Sequence, residues 1–209
     1  MRIKVAETEG QIVKGILNSF LPEITRDFNR AATTLKKTLP NLIRKIVMGS
    51  PEYYSLIAGQ LRPELGIPDP EDKIAGLINS WSSNIDFKFK PPKIVGYKLV
   101  ASVNASMFKA DFSEVINTPN AKVYDTIRGY ELPWLSWLVF YGNIPIITDY
   151  VVEYGASPRS RTGEAVMRNI GGSWSVPPSY SGTIANNWIT RAIETNSTVI
   201  ESLLNRVFR

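Results

Sequence analysis

The spacing of apolar residues changes near residue 85, and this change constrains the fold more than any other feature of the chain. Up to residue 83, apolar side chains recur every three or four positions, which is the period of a helix that buries one face. From residue 86 the segment DFKFK alternates strictly, a pattern typical of a half-buried strand. The sequence therefore predicts an α+β protein, with a helical region over residues 1–83 and an α+β core over residues 84–209.

Two apolar stripes dominate the first part of the helical region. They occupy residues 12–28 and 35–47, each at helical spacing. Pro22 and Pro40 lie inside these stripes. Because proline lacks an amide donor and clashes with the preceding turn, we expect each of them to kink or split its helix.

Other helices are predicted from local signals. Ser50 and Asp69 are each followed by proline, so each is expected to cap a helix that starts at the proline. Spaced apolar residues after a proline favour a short helix within residues 132–140. Residues 191–208 regain helical spacing and predict a C-terminal helix.

The rest of the core is predicted to be a mostly antiparallel β-sheet with one or two packed helices. Pro91-Pro92 is expected to end the first strand, and Asn104 to mark a turn. Residues 156–182 are rich in Gly, Pro and Ser, which predicts an extended loop with a hairpin, or else a flexible segment. The predicted strands are residues 86–90, 94–103, 107–115 and 144–154.

The chain contains no histidine and no cysteine, which excludes several kinds of active site. Ser-His-Asp and Cys-His catalysis, disulfides and cysteine zinc sites all need them. Two carboxylate pairs, Asp111 with Glu114 and Asp149 with Glu153, offer the residue types that glycoside hydrolysis needs, but nothing around them marks a site. We therefore expect a protein that is not an enzyme and holds no cofactor and no metal.

The net charge is +5, and the basic residues are spread along the chain. This charge fits contact with DNA or an acidic partner, and it fits a well-solvated surface equally simply. No apolar run reaches the roughly 18 residues that a membrane span needs. The N-terminal segment MRIKVAETEG also lacks the apolar stretch of a signal peptide, so no membrane association is expected.

The segment GASPRSRTG, residues 155–163, superficially resembles a phosphate-binding loop. It lacks the Gly-Lys-Ser/Thr of that motif, so a basic hairpin tip and a solvated turn are the competing interpretations. Trp174, beside Pro177-Pro178, either anchors an interface or covers the sheet. The residues predicted as candidate subunit or DNA contacts are Arg159, Arg161, Thr162, Gly163, Arg168, Trp174, Pro177, Pro178, Asn187 and Trp188.

Three segments carry a resemblance to a protein family. The block SRTGEAVMRNIGGSWSVPPSYSGTIANNWITRAI resembles virion structural proteins of tailed bacteriophages, and its layout is similar to that of tail-completion proteins of the neck. The stretches SPEYYSLIAGQLRPELGIPDPEDKIAGLINSW and LPWLSWLVFYG resemble segments of other structural proteins of such phages. The resemblance covers Ser50 to Ile193, and the long N-terminal helical region departs from the compact tail-completion pattern.

The resemblance implies a mechanical role in the virion, in the neck where head and tail join, with assembly in the host cytoplasm. It implies a tail-completion or tail-terminator protein that forms a homo-oligomeric ring of six or twelve copies, contacts neighbouring neck, connector or tail proteins, and surrounds DNA passing through the channel. A tail or baseplate structural protein and a DNA-contacting accessory protein are the alternatives. A nucleic-acid-binding protein and a carboxylate-dependent hydrolase are the hypotheses from other functional classes.

Overall fold

The computed structural model describes residues 7–106, 112–126 and 129–209, and it has the α+β class predicted from the sequence. The helices are α1 Glu9–Met48, α2 Pro51–Ala58, α3 Leu61–Leu65, α4 Pro70–Ser83, α5 Ser113–Ile116, α6 Trp134–Phe140, α7 Trp188–Thr195 and α8 Ser197–Val207. The strands are β1 Asp86–Val95, β2 Lys98–Ser106, β3 Val123–Asp125, β4 Tyr130–Leu132, β5 Ile147–Thr148, β6 Val151–Tyr154, β7 Ala165–Arg168 and β8 Ser173–Trp174. In the described part of the chain they pair as four separate antiparallel ribbons, β1-β2, β3-β4, β5-β8 and β6-β7.

The chain forms two compact units, and each is assembled from separate stretches of sequence. Unit 1 comprises residues 1–40, 85–106 and 198–209, and unit 2 comprises residues 41–84 and 107–197. The units therefore follow a different partition from the two consecutive regions predicted on either side of residue 83. The physical reason is long-range packing: in unit 1 the ring of Phe28 on α1 lies 6.3 Å from Phe89 on β1 and 5.7 Å from Phe208.

Helix α1 runs for 40 residues, and neither internal proline splits it. The expectation that these prolines split the helix was therefore wrong, whereas a kink stays a prediction. Pro22 is exposed, so water can satisfy the carbonyl of Asn18, which loses its helical donor there.

The β1-β2 hairpin corrects two sequence-based predictions. Pro91 and Pro92 do not end the first strand, because the ladder shifts register between Lys90 and Lys93 and then continues. Proline is tolerated at such an irregularity because no ladder donor is needed there. Asn104 is not a turn residue, since it pairs with Lys88 within the ribbon. The turn is Gly96-Tyr97, where Gly96 has a φ of +61° that favours glycine.

Unit 2 contains most of the described core. Helix α2 of this unit begins after the predicted N-cap, because the Ser50 side chain accepts a hydrogen bond from the Tyr53 amide at 3.2 Å. Asp69 does precede α4, but the prediction that it caps this helix was wrong. Its backbone is left-handed, with φ +47°, and its side chain makes no capping hydrogen bond. The geometry of the preceding turn thus overrides the local cap signal.

The remaining elements of unit 2 are short. The predicted helix within residues 132–140 is confirmed as α6, whereas the predicted strand 107–115 is wrong at its end, because α5 occupies Ser113–Ile116. Residues 107–111 of that prediction lie outside the described part of the chain. The predicted strand 144–154 is divided into β5 and β6 around Asp149, which has φ +65°. The segment predicted as an extended loop contains β7 and β8.

Candidate interaction surfaces

The basic segment at residues 157–163 lines a cleft of about 290 Å³ in unit 2. The cleft combines aromatic side chains with two carboxylates and two arginines, including Glu64, Asp125, Trp137, Arg159 and Arg161. The sequence therefore located residues that meet in a concave site, although the motif is not a phosphate loop.

Arg161 makes two contacts within unit 2, although its side chain is 33% exposed. Its Nε donates to the carbonyl of Gly66 at 3.3 Å, and its Nη1 lies 3.6 Å from an Asp125 carboxylate oxygen. Gly66 adopts φ +61°, a left-handed conformation that favours glycine. The role of Arg161 as a subunit or DNA contact stays a prediction, because an exposed guanidinium can keep these contacts and still meet a partner. Arg159 is exposed and also remains a candidate contact.

Thr162, Gly163 and Arg168 belong to the β6-β7 hairpin. The Thr162 hydroxyl accepts from the Glu164 amide at 3.3 Å, and Gly163 adopts φ +79° at the tip. Arg168 forms an ion pair with Glu153 across the ribbon, and both side chains are more than half exposed. These residues shape the hairpin, and because the Arg168 ion pair is largely exposed, a contact of Arg168 with DNA or another subunit stays a prediction.

Three predicted contact residues are buried inside unit 2, which corrects their assignment. Trp188 and Asn187 have 0% exposure and Trp174 has 6%. The Trp188 Nε1 donates to the Ser50 hydroxyl at 2.6 Å, and the Asn187 side chain caps α7. A side chain that water does not reach cannot contact another subunit, so these residues stabilise the fold.

The two prolines after Trp174 differ in exposure. Pro177 is half-buried, and its carbonyl accepts from the amides of Tyr180 and Ser181, both at 2.9 Å. Pro178 is exposed and stays a candidate contact. The apolar segment Leu132 to Phe140 is explained by core burial, since four of its side chains are fully buried.

A buried carboxylate at the cleft was missed by the sequence reasoning. Glu64 is 9% exposed, and its oxygens accept from Gln60 at 2.7 Å, from the Trp174 indole at 3.3 Å and from the Tyr154 hydroxyl. Burial of the hydroxyl, its hydrogen bond to Glu64 and the charge of Glu64 raise the pKa of Tyr154 to about 12. No local pattern marks Glu64, because two of its three donors, Tyr154 and Trp174, come from 90 and 110 residues away.

Replacing Glu64 by glutamine is expected to lower the pKa of Tyr154 towards its ordinary value near 10, while burial keeps it partly raised. Because the pKa is higher in the folded than in the unfolded chain, the stabilisation is complete below pH 10. It is lost as the pH rises towards about 12. Ultraviolet titration of the chain against a Tyr154→Phe control isolates this one tyrosine. A wild-type Tyr154 that ionises near pH 10 would contradict the description.

A buried ion pair also went unpredicted. Arg191 on α7 donates from Nε and Nη2 to one Glu52 oxygen at 3.0 and 2.7 Å, and it also donates to the carbonyls of Ser181 and Tyr180, both at 3.1 Å. The Glu52 side chain is 6% exposed. Arg191 thus ties α2, α7 and the loop before α7 together.

Unit 1 has an apolar surface that nothing within the unit covers. The helix stripe, as we call it, consists of Ile12, Ile16, Phe20 and Ile24 on α1, which are 41%, 52%, 51% and 39% exposed. Their spacing of four places them along one side of the helix. The periodicity predicted this helix face, but it did not reveal that the face lies open.

The outer side of the β1-β2 hairpin is a second open surface of unit 1. Lys93 pairs directly with Val100 and Val95 with Lys98, so these four side chains share one face. We call these four residues the hairpin face. Tyr97 at the turn is exposed but lies against Gly10 of α1, where an added Cβ would be 2.7 Å from its hydroxyl. The hairpin face combines apolar contact area with positive charge.

Comparison with protein-family models, curated proteins and solved structures finds no match to this chain. Within the described residues, no helix is long and apolar enough to cross a membrane. The same residues contain no cluster of three or more side chains that could hold a metal ion.

Proposed function

We propose that this chain is a structural component of a tailed bacteriophage particle and acts by forming a ring in the neck, where head and tail join. The observation that carries the proposal is the imbalance between core and open apolar surface in unit 1. Among its described residues, the buried hydrophobic side chains are Ala32, Leu35, Leu39 and Leu203. The large hydrophobic side chains exposed there are Ile12, Ile16, Phe20, Ile24, Val95, Tyr97, Val100, Val199 and Phe208.

Unit 2 shows the opposite balance, which makes the comparison informative. It holds the rest of the described buried core, and five of its eight large exposed hydrophobics are tyrosines, whose hydroxyls suit water. Among the large exposed hydrophobics described in unit 1, only Tyr97 is a tyrosine. Open aliphatic and phenyl groups are typical of surfaces that become buried on association.

The size of the helix stripe supports the same conclusion. With the exposures given above, its four side chains present on the order of 400 Å² of apolar surface, which is comparable to the largest apolar patch of a typical monomer, and such patches are often functional. Covering each Å² contributes roughly 25 cal/mol, so assembly gains free energy that the isolated chain cannot obtain.

The family resemblance is the reason for placing this assembly in the neck of the particle. It covers Ser50 to Ile193 and favours a neck ring of six or twelve copies, with neighbouring neck, connector or tail proteins as partners. In unit 2, Arg159 and Pro178 are the exposed members of the predicted contact set that have no pairing within the unit. They are the residues we propose for contacts with those partners.

Quantitative mass spectrometry of purified particles tests the proposal. We expect the chain in tailed particles encoded by the same genome, at a fixed stoichiometry of six or twelve copies per particle. A copy number in the hundreds would place it along the tail tube or in the capsid, against a neck ring. Absence from particles, while known virion proteins are detected in the same sample, would refute the structural role.

A further inference from the structure

We infer that copies of this chain join head to tail, with the helix stripe of one copy docked on the hairpin face of the next. The inference rests on the proposed assembly role and identifies the partner of the two open surfaces of unit 1. The occupant of each surface is therefore a second copy of the same chain.

The two surfaces have complementary charge. Residues 7–24, which contain the stripe, carry Glu7, Glu9 and Glu23 against one lysine, Lys14, and of the three carboxylates Glu23 already forms an ion pair with Arg26 at 3.7 Å. The hairpin strands carry Lys88, Lys90, Lys93 and Lys98 against one carboxylate, Asp86. Opposite charges around an apolar contact orient two surfaces and exclude wrong partners.

The lysines of the hairpin face are available for such a contact. Lys88 forms an ion pair with Asp86 at 3.6 Å, whereas Lys93 and Lys98 are exposed and have no carboxylate partner among the described residues. On α1, Glu9 is likewise exposed and unpaired within the described chain. Docking would pair these charges at the edge of the apolar contact.

Symmetric alternatives leave these unpaired charges without a free opposite charge. Glu9 lies three residues before Ile12 and Asp27 three residues after Ile24, so both carboxylates share the side of the helix that bears the stripe. If two stripes faced each other in parallel, Glu9 would meet Glu9 of the other copy. In antiparallel pairing it would meet Asp27, which already forms ion pairs with Arg30 at 3.4 Å and Arg26 at 4.0 Å. Two hairpin faces would bring lysines together, so the helix-to-hairpin contact is the combination in which unpaired charges of opposite sign meet.

Such a contact uses different surfaces on the two copies, so each copy keeps one free stripe and one free hairpin face. A heterologous contact of this kind closes into a ring if the rotation between copies is a whole fraction of a turn. With about 400 Å² of apolar surface on the stripe, the contact is smaller than the roughly 800 Å² that each partner buries in a stable pairwise interface. The isolated chain should therefore associate weakly, and ring closure should strengthen the assembly.

Charge reversal with mixing tests the contact. One variant carries Lys93→Glu with Lys98→Glu, and the other carries Glu7→Lys with Glu9→Lys. In each variant alone, like charges meet at every contact, so we expect association at least tenfold weaker than that of the wild type. In the equimolar mixture every contact again joins opposite charges, so association should return. Sedimentation velocity from micromolar to near-millimolar concentration measures all three samples.

Control variants separate this contact from general charge effects and from loss of folding. Glu71→Lys with Glu194→Lys reverses two exposed carboxylates in unit 2 and should leave association unchanged. Circular dichroism should show that all variants remain folded. The double substitution Ile16→Asp with Phe20→Asp should abolish association. When both charge-reversal variants also carry this double substitution, mixing them should not restore association.

Three results would overturn the inference. They are a wild-type chain that stays monomeric over the whole series, a mixture that associates no better than its components, and association that requires added duplex DNA and disappears at high salt. The last would identify the lysine face as a DNA contact. Any of them obtained while the chain is present in particles would leave the proposed function standing. Restored association by a chain absent from particles would refute only the virion role.

Discussion

Replacing Arg191 by alanine is expected to destabilise unit 2 by about 3 kcal/mol, because Glu52 is left buried without its partner. The Glu52 side chain is 6% exposed, and Arg191 donates two hydrogen bonds to one of its oxygens. The substitution also removes the donors to the carbonyls of Tyr180 and Ser181. All five tryptophans lie in unit 2, so urea unfolding followed by tryptophan fluorescence measures this unit selectively.

Two further variants isolate the cause of the loss. Combining Arg191→Ala with Glu52→Gln removes the unpaired charge, so the double variant should be more stable than Arg191→Ala alone by about 1 kcal/mol or more. Arg159→Ala, an exposed arginine in the same unit, should change the free energy of unfolding by less than about 0.5 kcal/mol. Equal losses for Arg159→Ala and Arg191→Ala would contradict a specific role for the buried pair.

Replacing Trp188 by alanine should cost about 4 kcal/mol, since a fully buried indole leaves a large cavity. The ring packs edge to face on Trp81 at 5.5 Å between centroids, and its Nε1 donates to Ser50. Urea unfolding of the variant, still reported by four tryptophans, measures the loss.

Trp188→Phe separates packing from hydrogen bonding. It keeps most of the apolar volume but removes the donor to the Ser50 hydroxyl, so we expect a loss of about 1–2 kcal/mol. Alanine at the exposed Ile170, which is 72% exposed, serves as the surface control and should be nearly neutral. If Trp188→Ala behaved like the Ile170 variant, the placement of Trp188 in the core would be wrong.

Features that depend on a few neighbouring residues could be predicted from the sequence. The Ser50 cap of α2, the short helix after Pro133 and the strand signal of DFKFK all have local causes, and the structure confirms each of them. The α+β class follows from the same local patterns, because helical spacing and strict alternation are properties of short windows.

Features that depend on distant partners could not be predicted. Trp188 was predicted as a contact residue but is buried, and its partner Ser50 is 138 residues away. The partner of Glu52 is 139 residues away. The interleaving of the two units has the same origin, because α1 meets β1 and the C-terminal residues only through tertiary packing.

The open helix stripe shows most clearly what could not be predicted from the sequence. A periodic apolar face predicts that a helix has something to bury, and on Ile12 to Ile24 the sequence shows that face plainly. Whether the covering surface belongs to the same chain is a question of the fold. Because these side chains are exposed in unit 1, we propose that they become buried when the protein assembles.

A symmetric cryo-EM reconstruction of the particle neck tests the central claim most directly, because it shows location, copy number and contacts together. The account predicts a ring of six or twelve copies of this chain, with Ile16 and Phe20 buried against a neighbouring copy. A neck ring built entirely from other chains, or copies of this chain whose helix stripe faces solvent, would contradict it.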